Sequence, residues 1–106
     1  MAYILQVGFE IPIDKISDLE LGASLERVLG FLRTTLPNED GFLTSRAMRA
    51  VEATHRVHVI VETTWENWEA IQKHRQAGMA EDKVLREFGT HISQNHLVVR
   101  TYQEID

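Results

Sequence analysis

Apolar and polar residues alternate in four segments of the chain, and this alternation predicts four strands. The first predicted strand runs from Tyr3 to Ile11. Its odd positions are apolar, and its even positions carry a mixed set: Ile4, Gln6, Gly8 and Glu10. Pro12 ends this strand because proline cannot donate a hydrogen bond to a strand ladder. The other three predicted strands are residues 42–51, 56–64 and 96–103, and residues 52–55 form a short hairpin connection.

A stripe of leucine and valine at helical spacing predicts a long helix after the first strand. The stripe comprises Leu21, Leu25, Val28, Leu29, Leu32 and Leu36. Ser17 and Glu20 have the spacing of a capping box, which places the helix start near Asp18. Gly22 weakens helical structure, so a later start with Ser24 as the cap stays open.

The region between the third and fourth strands is predicted to hold a helix in two parts. Asn67 is a suitable N-cap for a helix that extends to about Gln76. The pair Ala77-Gly78 interrupts it, and a second part runs from about Ala80 to Ile92. The resulting order is βαββαβ. We therefore predict a ferredoxin-like α+β fold in one domain, residues 1–106, with a four-stranded antiparallel sheet and helices on one face.

The sheet face away from the predicted helices is too apolar to lie comfortably in water. It carries four apolar residues, Ile4, Met48, Ile60 and Val98, and four polar or charged ones, Arg46, His58, Glu62 and Arg100. Burial against a second copy of the chain explains both sets, so we predict a two-fold symmetric homodimer. The cluster of His58, Glu62 and Arg46 has two interpretations: an anion or metal site, or a satisfied polar group inside the dimer.

Composition and charge exclude several functions. The net charge of −5 argues against a nucleic-acid partner, since phosphate binding needs a positive surface. The chain lacks cysteine, which removes disulfides and thiolate chemistry, and it has no compact histidine motif for a metal. No apolar run is long enough for a membrane span, and the N-terminus does not resemble a signal peptide. We expect a cytoplasmic protein without a membrane or nucleic-acid partner.

Residues 41–93 resemble the antibiotic biosynthesis monooxygenase (ABM-like) domains. The second strand carries Gly41-Phe42-Leu43, Ser45-Arg46 and Arg49-Ala50-Val51. The third strand ends in Trp65, and there follow the residues that the family pattern has at these spacings: Asn67, Glu69-Ala70 and His74, nine residues after the tryptophan. A broken helix with Phe88-Gly89 matches as well. The first strand and helix match in outline only.

The resemblance implies a dimeric α+β barrel with a pocket between the sheet and the helices of each protomer. Members of the family include cofactor-independent monooxygenases that oxidise polycyclic phenols with molecular oxygen, and others degrade haem. The haem-degrading relatives use a histidine on the last helix, where residues 82–86 of this chain have none. They also use an asparagine on the first strand, where this chain has Gln6. The resemblance therefore implies no cofactor.

Seven residues are the candidates for the pocket that the resemblance implies. His74, Tyr102 and Gln6 are the candidate catalytic residues, and the candidates for binding a substrate are Trp65, Trp68, Phe88 and Arg86. Each has a structural alternative. Trp65 either stacks on a planar substrate or fills the core at the strand end, and His74 is either a general base or a boundary residue. Arg86 either faces the pocket mouth or belongs to a solvated helix face.

Three functions remain open from the sequence. The first is a monooxygenase-like enzyme that acts on a small hydrophobic or aromatic molecule. The second is a non-catalytic dimer that binds such a molecule in the same cavity. The third is a structural dimer whose cavity is filled by its own aromatic side chains: Phe31, Phe42, Trp65 and Phe88.

Overall fold

The computed structural model describes residues 1–52, 55–92 and 97–106. In this part of the chain four strands form one antiparallel sheet in the order β2-β3-β1-β4. The strands are β1 (Tyr3–Pro12), β2 (Phe42–Arg49), β3 (Arg56–Trp65) and β4 (Leu97–Gln103). The helices are α1 (Asp18–Thr34), α2 (Trp68–Ala77) and α3 (Met79–Phe88), with 3₁₀ turns at Ile13–Lys15 and Leu36–Asn38. This is the predicted ferredoxin-like α+β fold.

The caps of the helices follow from local chemistry. Ser17 caps α1, and its hydroxyl oxygen accepts a hydrogen bond from the Glu20 backbone N–H at 3.1 Å, which excludes the later start at Ser24. Asn67 caps α2 as predicted, since its side-chain oxygen accepts from the Ala70 backbone N–H at 2.9 Å. Gly78 separates α2 from α3 with φ at 65°, in the left-handed region that favours glycine.

The register of the sheet divides its residues between two faces. Leu5 lies opposite Thr63 of β3 and Thr101 of β4, and Gln6 lies opposite Glu62 and Arg100. The face with the odd residues of β1 packs under the helices, and we call it the helix-side face. The face with the even residues is the outer face. The outer face carries the apolar and polar residues that the sequence predicts for the face away from the helices. Among them, Met48, Ile60 and Val98 lie in one row across the strands.

The core lies between the helix-side face and the helices. Phe9 and Phe88 join the two layers, with ring centroids 4.9 Å apart. The fully buried side chains come from both layers: Leu5, Val7, Ile11, Leu32, Leu36, Val59, Val61, Trp65 and Ile71. The layer of helices is also held by Glu87 of α3, which accepts hydrogen bonds from Arg27 of α1 and from Lys83.

Some predicted boundaries are wrong by a few residues. Strand β2 ends at Arg49 rather than Val51, and α3 ends at Phe88 rather than Ile92. Gly89 is the C-cap of α3, and the chain turns after it. Ile92 is buried and continues the apolar spacing of α3, but it lies beyond the end of the helix. Residues 53 and 54 of the predicted hairpin and His96 of the predicted last strand lie outside the described residues.

Within the described part of the chain, no helix combines the length and apolar character needed to cross a bilayer.

Candidate functional site

Trp65 and His74 form a stacked pair where β3 passes into α2. Their ring centroids are 4.4 Å apart and their planes are inclined by 27°. Trp65 has no exposed surface, and its indole Nε1–H donates a hydrogen bond to the Thr63 hydroxyl at 2.9 Å. The Phe42 ring meets Trp65 edge-on at 5.5 Å. Trp65 is therefore a fully buried core residue, and its only polar group, the indole N–H, is hydrogen-bonded to Thr63.

Gly41 fixes the strand-to-helix joint that brings this pair together. Its φ of 80° lies in the left-handed region, and an added Cβ would sit 2.5 Å from the Cβ of Ala70 on α2. Its carbonyl oxygen accepts a hydrogen bond from the Glu66 backbone N–H at 2.7 Å. Glycine is thus required here both by backbone conformation and by the close approach of α2.

His74 is buried and has no partner for either ring nitrogen among the described residues. It is 4% exposed, and neither Nδ1 nor Nε2 makes a hydrogen bond there. Burial lowers the pKa of His74 because the charged imidazolium loses its hydration, while the negative charge of Glu39 raises the pKa by a smaller amount. The neutral ring is therefore the favoured form at pH 7. Unsatisfied buried nitrogens are uncommon in native proteins, and they mark sites with a water, a ligand or a catalytic role.

A cleft opens between α2 and the edge strand β4, and we call it the α2–β4 cleft. It has a volume of about 320 Å³ and is lined by Trp68, Ile71, Gln72, Arg75, Gln76 and Thr101. This volume is at the lower end of the range for small-molecule sites. Of the seven candidate residues for the pocket that the resemblance implies, this cleft contains Trp68.

The α2–β4 cleft combines an aromatic wall with polar groups. Trp68 is 47% exposed, and its ring lies 5.5 Å from that of Tyr3. Thr101 contributes a buried hydroxyl oxygen that has no hydrogen-bond partner among the described residues. Arg75 is exposed and makes no ion pair with a residue that the structure describes. A planar molecule against Trp68 with an anionic or hydroxyl substituent would meet complementary groups here.

The sheet separates the seven residues that the sequence singles out. Trp65, His74 and Phe88 lie in the core on the helix side, and Trp68 lines the α2–β4 cleft. Gln6 and Tyr102 lie on the outer face, where the Gln6 amide donates to Glu62 at 2.8 Å and Tyr102 is 40% exposed opposite Ile4. Arg86 is exposed on α3, 3.0 Å from Asp82. Consequently His74, Gln6 and Tyr102 do not form one catalytic set within a protomer.

The sequence reasoning missed five of the six residues that line the α2–β4 cleft. They are Ile71, Gln72, Arg75, Gln76 and Thr101. The helical ones follow Trp68 at intervals of three, four, seven and eight residues, which is the spacing of one helix face. Given the predicted helix after Asn67, that spacing predicts that these residues share one face with Trp68. Thr101 had no comparable signal, because its role depends on which helix lies next to β4.

The outer face carries a second hollow. It has a volume of about 360 Å³ and contains Gln6, Gly8, Glu10, His58, Ile60 and Arg100 among its lining residues. Glu62 beside it is buried and accepts hydrogen bonds from Gln6 and from Arg46 Nε at 3.0 Å. In the described ranges no three histidine, aspartate or glutamate side chains come together as a metal site. Of the three residues in the predicted cluster, Arg46 and Glu62 form an ion pair at 3.0 Å. The third, His58, lies 3.8 Å from the carboxylate of Glu10.

Comparison with known proteins places this architecture. No family model matches the chain, and no curated protein matches it in sequence. Among solved structures, a candidate antibiotic biosynthesis monooxygenase from Nitrosomonas europaea superposes with a TM-score of 0.68 at 10% identity, over 98% of this chain and 90% of its own. The chain shares the fold of this structure. SnoaB, a cofactor-independent oxygenase from Streptomyces nogalater, superposes on the chain with a TM-score of 0.64 at 10% identity, over 99% of this chain and 94% of its own.

A third solved structure concerns assembly. A dimeric ferredoxin-like protein from Thermobifida fusca superposes with a TM-score of 0.66 at 10% identity, over 97% of this chain and 92% of its own. At these identities the comparisons establish that the chain shares the fold of these structures, and the fold alone does not determine the reaction.

Proposed function

We propose that this chain is a homodimer that binds a small planar aromatic molecule in the α2–β4 cleft of each protomer. The observation that supports this most directly is the composition of the cleft. Within a volume of about 320 Å³ it offers one half-exposed indole, together with one guanidinium and one buried hydroxyl that have no partner among the residues the structure describes. Apolar walls with a few converging polar groups are typical of ligand sites.

The orientation of the ligand follows from the positions of these groups. The aromatic body packs against Trp68 and Ile71, since these are the apolar residues of the cleft. A carboxylate or phenolate oxygen binds Arg75, with Gln72 and Gln76 on the same helix as further donors. Thr101 on β4 closes the opposite wall and hydrogen-bonds to a second polar substituent.

Fluorescence titration with a hydroxyanthracene or anthrone tests this binding. We expect Trp68→Ala and Arg75→Ala each to weaken binding about tenfold, which corresponds to the loss of about 1.4 kcal/mol. Arg33→Ala is the matched control, because Arg33 is an exposed arginine at the end of α1 and does not line the cleft. Unchanged affinity in both cleft variants would exclude this site. Arg86→Ala tests separately whether the arginine that the sequence singles out contributes.

We further propose that the bound molecule is oxidised by molecular oxygen without a cofactor. In this reaction an activated CH₂ of the substrate becomes a carbonyl, one oxygen atom enters the product, and the other leaves as water. Oxygen thereby accepts the four electrons that the carbon loses. Support comes from the ABM fold and from the likeness to an oxygenase that needs no cofactor. The protein would contribute orientation and local polarity.

His74 is the candidate base for this reaction. Its ring nitrogens have no partner among the described residues, burial lowers its pKa, and it lies on α2 three residues after Ile71 of the cleft wall. His74 does not line the cleft and is itself buried, so a local rearrangement is required before it reaches a substrate proton. Oxygen uptake with anthrone measures turnover, and His74→Asn should reduce the rate by at least a hundredfold while binding persists.

A non-catalytic binding protein is the second candidate, and one observation favours it. The described residues that line the α2–β4 cleft include no histidine, aspartate, glutamate or tyrosine. A cleft without a general base binds but does not remove protons. Saturable binding with no oxygen uptake from the whole panel of phenols would establish this alternative over the enzyme.

A further inference from the structure

Two threonines lie in one row of the helix-side face, and their hydroxyl groups differ in their hydrogen bonding. Thr63 of β3 and Thr101 of β4 both pair with Leu5 of β1, the strand between them. The Thr63 hydroxyl oxygen accepts a hydrogen bond from the Trp65 indole N–H at 2.9 Å. The Thr101 hydroxyl oxygen is buried and has no hydrogen-bond partner among the residues that the structure describes. The fold therefore uses the first hydroxyl and not the second.

Folding alone does not explain a threonine at position 101. A buried hydroxyl that has lost its hydrogen bonds to water and gained no others destabilises the folded state. Valine is β-branched like threonine, is equally suited to a strand and has no polar atom to satisfy. Neither shape nor strand propensity therefore requires the hydroxyl of Thr101, and its role lies outside the contacts of the described residues.

Thr101 lies where a molecule in the α2–β4 cleft would contact it. It is the one described lining residue that comes from β4, and the others come from α2. The residue is only partly buried, although its hydroxyl oxygen is fully covered. Part of Thr101 therefore faces the cleft while the hydroxyl is turned away from it. A threonine side chain has other staggered positions about χ1, and rotation between them exchanges the places of hydroxyl and methyl.

The helix wall of the cleft favours an anionic aromatic molecule. Arg75 makes no ion pair with a residue that the structure describes, and the described lining residues include no aspartate or glutamate. A carboxylate is the group that a guanidinium binds most strongly, through two parallel hydrogen bonds. Trp68 and Ile71 on the same helix supply the contact for an aromatic body.

We infer that Thr101 makes the cleft selective for an aromatic carboxylate that carries a hydroxyl or carbonyl oxygen remote from its carboxylate group. This inference rests on the proposed binding of a planar aromatic molecule in the cleft. The carboxylate binds Arg75 on the helix wall. Thr101 rotates about χ1, and its hydroxyl forms a hydrogen bond with the remote oxygen from the strand wall. A ligand without that oxygen leaves the hydroxyl unsatisfied, so the site discriminates against it.

Two probes isolate the contribution of Thr101 to binding. They are naphthoate and a hydroxynaphthoate whose hydroxyl lies on the ring remote from the carboxylate, so they share the aromatic body and the anion. In titration calorimetry the wild type should bind the hydroxynaphthoate about tenfold more tightly than naphthoate. In Thr101→Val this ratio of affinities should fall to about one. Thr101→Ser keeps the hydroxyl, and it should retain a preference of about fivefold or more.

The stability of the ligand-free protein provides a second readout, which a residue that only packs would not give. Thr101→Val removes an unsatisfied hydroxyl, so it should raise the midpoint of thermal unfolding by about 4 °C or more. Thr63→Val is the matched control from the same row of the sheet. It deprives the Trp65 indole N–H of its partner and should lower the midpoint. Circular dichroism checks that every variant is folded.

The outcomes separate this inference from the proposed function. If neither naphthoate nor the hydroxyanthracene binds the wild type, the proposed function is wrong, and this inference with it. If the hydroxyanthracene binds but the naphthoates do not, or if both naphthoates bind equally tightly, only this inference is wrong. It is also wrong if Thr101→Val keeps the preference for the hydroxynaphthoate, or if that variant does not raise the midpoint of thermal unfolding.

Discussion

His74 carries the clearest physical signal of any single residue in this chain. It is buried against Trp65 with both ring nitrogens unpaired in the described part of the chain, and burial lowers its pKa. A buried polar group without a partner destabilises a fold by about 1–3 kcal/mol, a cost that is tolerated where the group has a function. The stacking of the His74 ring on Trp65 offsets part of this destabilisation through packing. His74 is therefore either a functional residue or a residue that a better-packed variant would replace.

The lowered pKa predicts how stability depends on pH. The unfolded chain binds a proton at His74 with the ordinary pKa of 6.5, while the folded chain binds it only at lower pH. Between these values the unfolded state holds more protons, so the free energy of unfolding falls as pH decreases through 6.5, by at most about 1.4 kcal/mol per pH unit. His74→Phe keeps a stacked ring and should lose this dependence. Urea unfolding at pH 5 to 8 measures the free energy of unfolding of both proteins. If this free energy changed with pH by the same amount in the wild type and in His74→Phe, the prediction would be contradicted.

The division of the candidate residues between two sheet faces was visible in the sequence but was not applied to the site. Alternation along β1 already places Gln6 away from the helices, and the same alternation in β4 places Tyr102 there. The polar side chains of Gln6 and Tyr102 suggest a catalytic role beside His74, but side-chain chemistry does not report on which face of the sheet a residue lies. The sequence leaves two alternatives for Trp65, a substrate contact or a place in the core. The choice between them depends on the contacts of its ring with Phe42 and with His74 on α2, which periodicity does not contain.

At the scale of elements, the joint between β2, β3 and α2 depends on one glycine. Gly41→Ala places a Cβ 2.5 Å from Ala70 and at a φ of 80°, so the chain must shift. We expect destabilisation of about 2 kcal/mol or more, because backbone strain and overpacking add. Gly30→Ala is the matched control: an added Cβ meets nothing within 4 Å inside α1, and alanine favours helix by about 1 kcal/mol. Thermal unfolding should move down for the first variant and up for the second. If the two variants shifted the midpoint of thermal unfolding equally, the position of Gly41 would tolerate a side chain.

The element types followed from periodicity, whereas their ends depended on turns. Strong period-two and helical patterns predicted every strand and helix in the described ranges, including the interruption at Gly78. The end of α3 was misjudged because Ile92 continues the apolar stripe after Gly89. Glycine is the poorest helix former apart from proline, so a stripe that crosses it does not extend the helix. The order of strands within the sheet needs tertiary contacts that periodicity does not contain.

For the whole molecule, the sheet acts as a partition between two surfaces with different roles. The helix-side face supports the α2–β4 cleft, and the outer face presents the hollow over Gly8. The outer face could be predicted from the sequence because its apolar residues have no helix to cover them. The cleft could be predicted only as a region, since β4 contributes to it through the arrangement of strands. The proposed ligand binding and the proposed self-association therefore use opposite faces, and neither should block the other.

This separation predicts that assembly contributes to stability without changing the cleft. If folding and dimerisation are coupled, a hundredfold increase in protein concentration stabilises the folded state by about 2.7 kcal/mol. The midpoint of thermal unfolding should then rise with concentration in the wild type and remain constant in Gly8→Val, whose hollow is filled. Affinity for an aromatic probe in the cleft should be the same in both proteins, because Gly8 faces the other side of the sheet. A midpoint that is independent of concentration in the wild type would mean that the outer face does not contribute to stability. Loss of probe binding in Gly8→Val would mean that the two faces are coupled.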